Sequence, residues 1–400
     1  MIVGIPQEIL PGEKRVALVP EGAGKLIEAG LEVLVQSGAG EAAGYSDLRY
    51  QEAGAGIEAD AAGLYARADI ILKVREPAAD CGDGQGEVER FRDESALISF
   101  LFPGNNPETV KRLEEKNIRS FAMELMPRIT RAQSMDALSS MSSIAGYQAV
   151  LIAAEILPKF FPMLMTAAGT ITPAKVLILG AGVAGLQAIA TAKRLGAVVE
   201  AYDIRPVVKE QVESLGAKFI ELEVATEDAE DAGGYAKEQG EETQEQIRQL
   251  LLERIAQSDA VITTALVPGR KAPLLMTTEM VEAMSPGSLV VDLAAEQGGN
   301  CELTEAGETV EHNGVKIIGP VDLPSTMAVH ASDMYSRNIS TYLLHLVNDG
   351  KLNLDPEDEL VTGPRVSGEL DAAAPKEEET GKAESLEPNA ETGEGEPSDG

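Results

Sequence analysis

Short apolar runs alternate with stretches of helical period through the first third of the chain. The runs at 2–6, 31–35, 70–74, 96–102 and 118–121 are bounded by polar or glycine-containing turns, so they predict strands. Between them, 21–29, 47–53, 60–67 and 107–116 have helical spacing, and Gly30 closes the first as a C-terminal glycine. Residues 12–20 form a loop that carries Lys14 and Arg15 into the apolar run 16–19. This alternation predicts a parallel α/β layer without a glycine fingerprint. A longer helical stretch follows at 134–157, where Met135, Leu138, Met141 and Ala145 recur at helical spacing until Pro158 stops it. It reads as a helix linking two domains, with 160–173 after it as an apolar loop.

The second half of the chain is organised around KVLILGAGVAGLQAIATAKRLGAVVEAYD, Lys175 to Asp203. A β-rich run meets Gly180, Gly182 and Gly185 in G-x-G-x-x-G spacing. A helical stretch and a second strand ending at Asp203 follow. This is the order a dinucleotide fold requires. Gly180 permits the tight turn, Gly182 lets backbone approach a pyrophosphate, and Gly185 lets helix pack on strand; the helix start then offers N–H groups and a positive dipole end to phosphates. A glycine-rich turn in some other α/β unit is the plainer alternative. Val183 after Gly182, and Ile204 after Asp203, count among the cofactor-lining positions. Asp203 stands where an acid accepts from the adenosine ribose hydroxyls and repels a 2′-phosphate, favouring NAD(H); Arg205, two residues on, could favour a phosphate instead. Further strands are expected at 260–264, 289–293 and 315–318, with Leu266 following the first of these at a strand end where cofactors rest. A helix at 331–347 returns to the first domain.

The expected fold is therefore α/β: two Rossmann-like, doubly wound parallel-sheet domains joined by long helices. The first takes residues 1–135 plus 328–354 and the second 136–327. From Asp355 onward the composition changes. Residues 355–400 hold 15 acidic and 3 basic side chains and no aromatic, so this segment is expected to be a disordered acidic tail. Residues 221–245 are a second acidic stretch, either a functional lid or a solvated surface insertion.

Charge and cysteine usage narrow the partners. The formal net charge is -33, which argues against nucleic acid and anionic membrane surfaces as direct partners. The acidity extends over the folded part, which suggests adaptation to high intracellular salt. Two cysteines far apart, Cys81 and Cys301, give no disulfide framework and no metal spacing. The N-terminus has no signal-peptide pattern, and the uncharged runs at 160–174 and 176–192 do not read as membrane helices, so direct membrane insertion is not expected.

Several segments carry a closer likeness. MELMPRITRAQSMDALSS (123–140), AAGTITPAKVLILGAGVAGLQAIATAKRLGA (167–197), KEQVESLGAKF (209–219), AGGYAKEQGEE (232–242) and ITTALVPGRKAP (262–273) closely resemble the alpha subunit of proton-translocating nicotinamide nucleotide transhydrogenase, in the alanine dehydrogenase/transhydrogenase family. The resemblance covers about residues 1–350. It implies a soluble, homodimeric NAD(H)-binding component on the cytoplasmic face of the membrane. Such a component passes hydride to or from NADP(H) held on a beta subunit, coupled to proton movement through a membrane-spanning subunit. It also implies that Arg128, Ile129, Gln133, Asp136 and Ser139 line the nicotinamide side, and that Gly234 and Tyr235 belong to a mobile loop over the nucleotide. The chemistry agrees, because hydride transfer between two nicotinamides needs aligned rings in a dry site rather than an acid, base or metal. Arg128 and Asp136 can orient carboxamide and ribose as donor and acceptor, and Gln133 can bridge towards the second nucleotide. The plainer reading of that segment is a polar helix entry, with Ser134 as N-cap and Asp136 in the first turn.

The runner-up is alanine dehydrogenase. IPQEILPGEKRVALVP and LKVREP also resemble that family, with Arg15 and Lys73 at substrate-binding positions. Oxidative deamination needs a proton-transfer group, and the family's His after the 96–101 strand is missing from ISFLFPGNN. His312, His330 and His345 fall elsewhere. Arg15 and Lys73 are then most simply remnants of a shared fold, paired with nearby carboxylates. A third reading is a nucleotide-binding module with no catalysis of its own.

Overall fold

The computed structural model describes residues 1–221, 241–266 and 271–368. Strands β1 (Ile2–Ile5), β2 (Glu32–Gln36), β3 (Gly56–Glu58), β4 (Ile70–Leu72), β5 (Ala96–Ser99) and β6 (Arg119–Ala122) come first. A hairpin follows, β7 (Leu164–Thr166) and β8 (Gly169–Ile171). Next come β9 (Lys175–Leu179), β10 (Val198–Tyr202), β11 (Lys218–Phe219), β12 (Ala260–Thr263), β13 (Leu289–Asp292), β14 (Thr309–His312) and β15 (Val315–Ile318). A second hairpin, β16 (Val347–Asn348) with β17 (Lys351–Leu352), and a last strand, β18 (Arg365–Ser367), complete the set.

These strands form two seven-stranded sheets, ordered β18-β6-β5-β4-β1-β2-β3 and β11-β10-β9-β12-β13-β15-β14. In each, the chain runs outward from the centre on one side, then returns to build the other. That is the doubly wound order, and it puts a topological switch point beside the first strand of each sheet. All neighbours in both sheets pair in parallel except β18 on β6 and β14 on β15, which are antiparallel. Central strands carry continuous buried apolar runs, Val176 to Leu179 in β9 and Ala260 to Ile262 in β12, because both their faces are covered by helices.

The helix Ala137–Ile156 joins the two layers. Ala137, Met141 and Ile144 sit in the core of the first sheet, while Ala149, Val150 and Ala153 sit in the core of the second. Among the described residues it is the one helix long and apolar enough by composition to cross a membrane, with a mean hydropathy of 1.3. Its apolar sides are used by two cores. Gly146 makes the contact with the second domain possible, since a Cβ there would lie 2.1 Å from the Ala184 carbonyl oxygen on the next helix. The return helix, expected at 331–347, starts three residues earlier and spans Ala328–Leu346.

Three local expectations change. The linking helix is capped by Asp136 rather than Ser134: residues Thr130–Met135 form a 3-10 helix, and the Asp136 side chain accepts from the Ser139 amide at 2.9 Å. The Ser134 carbonyl is used elsewhere, accepting from Asn338 at 2.9 Å. The expected loop at 160–173 holds the hairpin β7–β8, which turns at Gly169 with φ +107°. The tail expected from Asp355 differs at its start. Glu359–Thr362 form a helical turn and β18 pairs with the edge of β6, while Leu354, Leu360 and Val361 are buried. A waiting sheet edge and three apolar side chains order a stretch whose average composition is that of a disordered chain. Residues 369–400, Gly234, Tyr235 and most of the acidic stretch at 221–245 lie outside the described residues.

Candidate functional site

The fingerprint turn sits at the switch point between β9 and β12. Gly180 has φ +102°, which an L side chain adopts only under strain. A Cβ there would also lie 2.6 Å from Thr264 Oγ1, the hydroxyl that donates to the Gly180 carbonyl at 3.0 Å. Gly185 is a packing glycine, since its Cβ would fall 1.9 Å from the Gly180 oxygen. Gly182 is different. Its φ is -74°, which any residue adopts, and a Cβ there would meet nothing within 4 Å. The chain itself makes no demand for glycine at 182. The cradle it leaves is the space a pyrophosphate would fill.

Gly182 is also the N-cap of the helix Val183–Arg194, and no side chain caps that helix. Its first-turn amides and positive dipole end therefore suit an anion. Val183 is exposed at this opening. Leu266 follows β12 on the other side of the switch point, half-buried beside Thr264 and Ala265.

Asp203 closes β10 as expected and binds back onto the turn. Its Oδ2 accepts from the Ala181 amide at 2.7 Å. Arg205 grips the same carboxylate with Nε to Oδ1 at 2.9 Å and Nη2 to Oδ2 at 2.8 Å, and the Arg205 amide donates to Oδ1 at 2.9 Å. Arg205 thus serves Asp203 in a bidentate pair, which takes much of its charge away from the role of a phosphate clamp. Ile204 is half-buried between them.

Two residues that sequence reasoning missed brace the far side. Asp292, at the end of β13, is fully buried and accepts from Thr263 Oγ1 (2.8 Å), Thr304 Oγ1 (2.6 Å) and the amides of Ala294 (2.9 Å), Asn300 (2.7 Å) and Cys301 (3.0 Å). Asn300 accepts from the Ala265 amide at 3.0 Å and donates to the Ala265 and Pro273 carbonyls at 2.9 and 2.8 Å. Together they fix the strand end that presents Leu266. The available signal was an acid closing an apolar strand, as Asp203 closes β10. Cys301 beside them is no poised thiolate, because burial pushes its thiol up to about 11.

The other expected site residues lie on the segment after β6. Arg128 and Gln133 are exposed, and Ile129 is half-buried against the first core. Asp136 and Ser139 are brought together: beyond the cap, Ser139 Oγ donates to Asp136 Oδ2 at 2.5 Å. The linking helix that starts at this pair also leads to Gly146, so one rigid element runs from the Asp136 end to the helix that carries the fingerprint.

The first sheet's own switch point, between β1 and β4, is closed by charge. Lys73 is fully buried and donates to Glu8 at 3.1 Å and to Glu87 at 3.0 Å; Tyr65 donates to Glu87 at 2.7 Å. Burial works against the Lys73 charge, but Glu8 and Glu87 outweigh it and hold the ammonium protonated. Arg15 is buried against Glu13, with Nη2 to Oε2 at 2.5 Å. Both cations are paired with carboxylates, as expected for remnants of a shared fold. The histidines stand apart from this cluster: His312 meets Glu282, His345 meets Asp358, and His330 is exposed.

Two doubly wound sheets, one open at its switch point with a dinucleotide fingerprint and one closed by an ion-pair cluster, define a two-domain Rossmann-type oxidoreductase fold. Residues 4–145 match the family "Alanine dehydrogenase/PNT, N-terminal domain", and residues 149–367 match "Alanine dehydrogenase/PNT, C-terminal domain". The chain belongs to this family of NAD-binding oxidoreductases. It is 49% identical over 370 residues to an NAD(P) transhydrogenase alpha subunit of Rhodospirillum rubrum, covering 92% of this chain and 96% of that one. The solved transhydrogenase of Sinorhizobium meliloti is 44% identical, with a TM-score of 0.79 over 92% of this chain and 97% of its own. Alanine dehydrogenase of Bacillus subtilis is a more distant relative, 30% identical over 88% of this chain and 86% of its own length.

Proposed function

We propose that this chain is the NAD(H)-binding component of a proton-translocating transhydrogenase. It passes hydride between NAD(H) held here and NADP(H) held on a beta partner subunit, coupled to proton movement through a membrane-spanning subunit. The observation that carries the reading is the cradle at Gly182, where an uncapped helix start faces space that no atom of the chain needs. The relatives of high identity are named transhydrogenase subunits.

Bound NAD(H) would supply the chemistry by giving or taking a hydride at its nicotinamide. The chain's role is to bind and align. The first-turn amides after Gly182 take the pyrophosphate, and Asp203 takes the adenosine ribose. Arg128, Ile129, Gln133, Asp136 and Ser139 serve the nicotinamide side, where the exposed Gln133 would bridge towards a second nucleotide. Gly234 and Tyr235 close over the nucleotide. No proton-transfer group is required in that step.

The hairpin β7–β8 supports a homodimer. Met163 and Met165 are 60% and 83% exposed, and Phe160 and Ile171 are exposed beside them, an apolar surface that asks for a cover. The chain would sit on the cytoplasmic face of the membrane through its partner subunits. Alanine dehydrogenase activity is disfavoured by Lys73, which is buried, held protonated and committed to two glutamates. The test mixes the purified chain with an NADP(H)-binding transhydrogenase subunit. Reduction of an NADP analogue by NADH should appear only in the mixture. NADH oxidation by this chain alone with pyruvate and ammonia would overturn the proposal.

A further inference from the structure

The segment that carries Arg128, Gln133 and Asp136 cannot hold its own shape. Its regular portion is a six-residue 3-10 helix, Thr130–Met135, longer than such helices usually persist unaided. Its support comes from residues 354–368, a strap that crosses beneath it. Leu360 and Val361 share the apolar core with Met126, Ile129 and Ala132. The Pro364 carbonyl accepts from the Ala122 amide at 2.7 Å, where β6 hands over to the segment. Ser367 Oγ donates to the Ile118 carbonyl at 2.8 Å, below β6.

One side chain of the strap touches all three neighbours at once. Asp358 Oδ1 accepts from Arg131 Nη2 at 3.0 Å and from the Leu360 amide at 3.0 Å, which caps the strap's helical turn. Its Oδ2 accepts from His345 Nε2 at 2.7 Å, on the return helix. Burial opposes the Asp358 charge, but these three donors outweigh it and hold the carboxyl below the usual aspartate value. Glu359 adds a second carboxylate to Arg131 at 3.5 Å. At the far end of the 3-10 helix, Asn338 of the same return helix donates to Ser134 O. The segment is thus pinned at Arg131 to the strap and at Ser134 to the return helix.

We infer that Asp358 is a positioning residue for hydride transfer: through Arg131 it holds the 3-10 helix Thr130–Met135, and with it Arg128, Gln133 and Asp136, in the arrangement the nicotinamide needs. This rests on the function proposed above. An exposed ion pair alone contributes little. The contact matters here because one carboxylate joins strap, return helix and site segment, and because small displacements of reacting groups cost rate more than affinity.

The test compares the full wild-type chain with Asp358→Asn, Arg131→Met and the double variant. Asn keeps the cap on Leu360, and Arg131 is more than half exposed, so Arg131→Met reads the same contact from a position that tolerates change. Amide hydrogen exchange of residues 130–139 is measured on the chain alone with NADH as the only ligand. kcat and KM for NADH are measured in the mixture with the NADP(H)-binding subunit. Each single variant should speed exchange in 130–139 and lower kcat about 10-fold, with KM for NADH changed less than about 2-fold. The double variant should fall short of the sum of the two single losses, because the two residues share the Arg131–Asp358 contact, beyond which Asp358 also holds His345 and Arg131 also meets Glu359. Wild-type exchange and kcat in Asp358→Asn and Arg131→Met, or losses that add in the double variant, would overturn the inference. A wild-type mixture that transfers no hydride would defeat the functional reading, and the exchange result would then decide the positioning role on its own.

Discussion

Replacing Gly182 by alanine separates binding from folding at one atom. The backbone there has φ -74° and the new Cβ meets no atom within 4 Å. Two small effects oppose each other: alanine is a poorer N-cap than glycine, but it lowers the entropy of the unfolded chain. Their sum should stay within about 0.5 kcal/mol, a Tm shift of about 2 °C or less. The methyl group does occupy the cradle. A phosphate oxygen hydrogen-bonded to the first-turn amides cannot share that space, so the NADH dissociation constant should rise at least about 10-fold, or roughly 1.4 kcal/mol. Gly185→Ala supplies the contrast. Its Cβ would start 1.9 Å from the Gly180 oxygen, whereas ordinary contact begins near 3.4 Å, so helix and turn must separate by about 1.5 Å. Overpacking of that kind costs about 1–3 kcal/mol, and Gly185→Ala should lose both stability and binding. Thermal unfolding and fluorescence titration with NADH read the two quantities. Wild-type affinity in Gly182→Ala would show that the pyrophosphate lies elsewhere, and a Tm loss of several degrees would show that the position is crowded.

Met165→Glu should convert the proposed homodimer to a monomer in sedimentation without lowering the Tm by more than about 2 °C, since the side chain lies on the exposed hairpin; a wild-type monomer would refute the proposed homodimer, and a variant that stays dimeric would remove the hairpin from the interface. Glu13 is held below the usual glutamate value of about 4.3 by Arg15, although burial opposes this. A lowered carboxyl contributes stability that is present above its unfolded value and lost as pH falls through the folded one. Wild type should therefore lose stability more steeply than Glu13→Gln on acidification below about pH 4, and parallel curves would refute the pairing argument. With a net charge of -33, stability should hold or rise as KCl is added, and a maximum at low salt would contradict the salt adaptation.

The features of this fold that depend on local chemistry were legible in the sequence. The glycine spacing at 180, 182 and 185, the apolar runs of the central strands and Asp203 at the end of β10 are set within a few residues of themselves. Other features depend on what lies across the fold. Asp136 and Ser134 are both good caps by composition, and the choice follows from how the 3-10 helix seats Ala132 and Met135. Residues 355–368 of the strap read as disordered when averaged over an acidic tail, because only β6 and the first core give Leu360 and β18 a place. Asp292 and Asn300 carry no motif; their importance is a set of hydrogen bonds to strand ends far apart in sequence. Arg15 and Lys73 match substrate-binding positions of alanine dehydrogenase; the missing His after the 96–101 strand already favoured paired remnants, and the sequence could not show which carboxylates pair with them, Glu13 with Arg15 and Glu8 and Glu87 with Lys73.

The central claim is direct hydride transfer from a nucleotide on this chain to a nucleotide on another. NADH deuterated at the transferred position of the nicotinamide, mixed in ordinary water with this chain, the NADP(H)-binding subunit and NADP+, tests it in one product analysis. The expected product is NADPH that retains the deuterium in full. Deuterium lost to solvent, or no NADPH in the complete mixture, would contradict the claim.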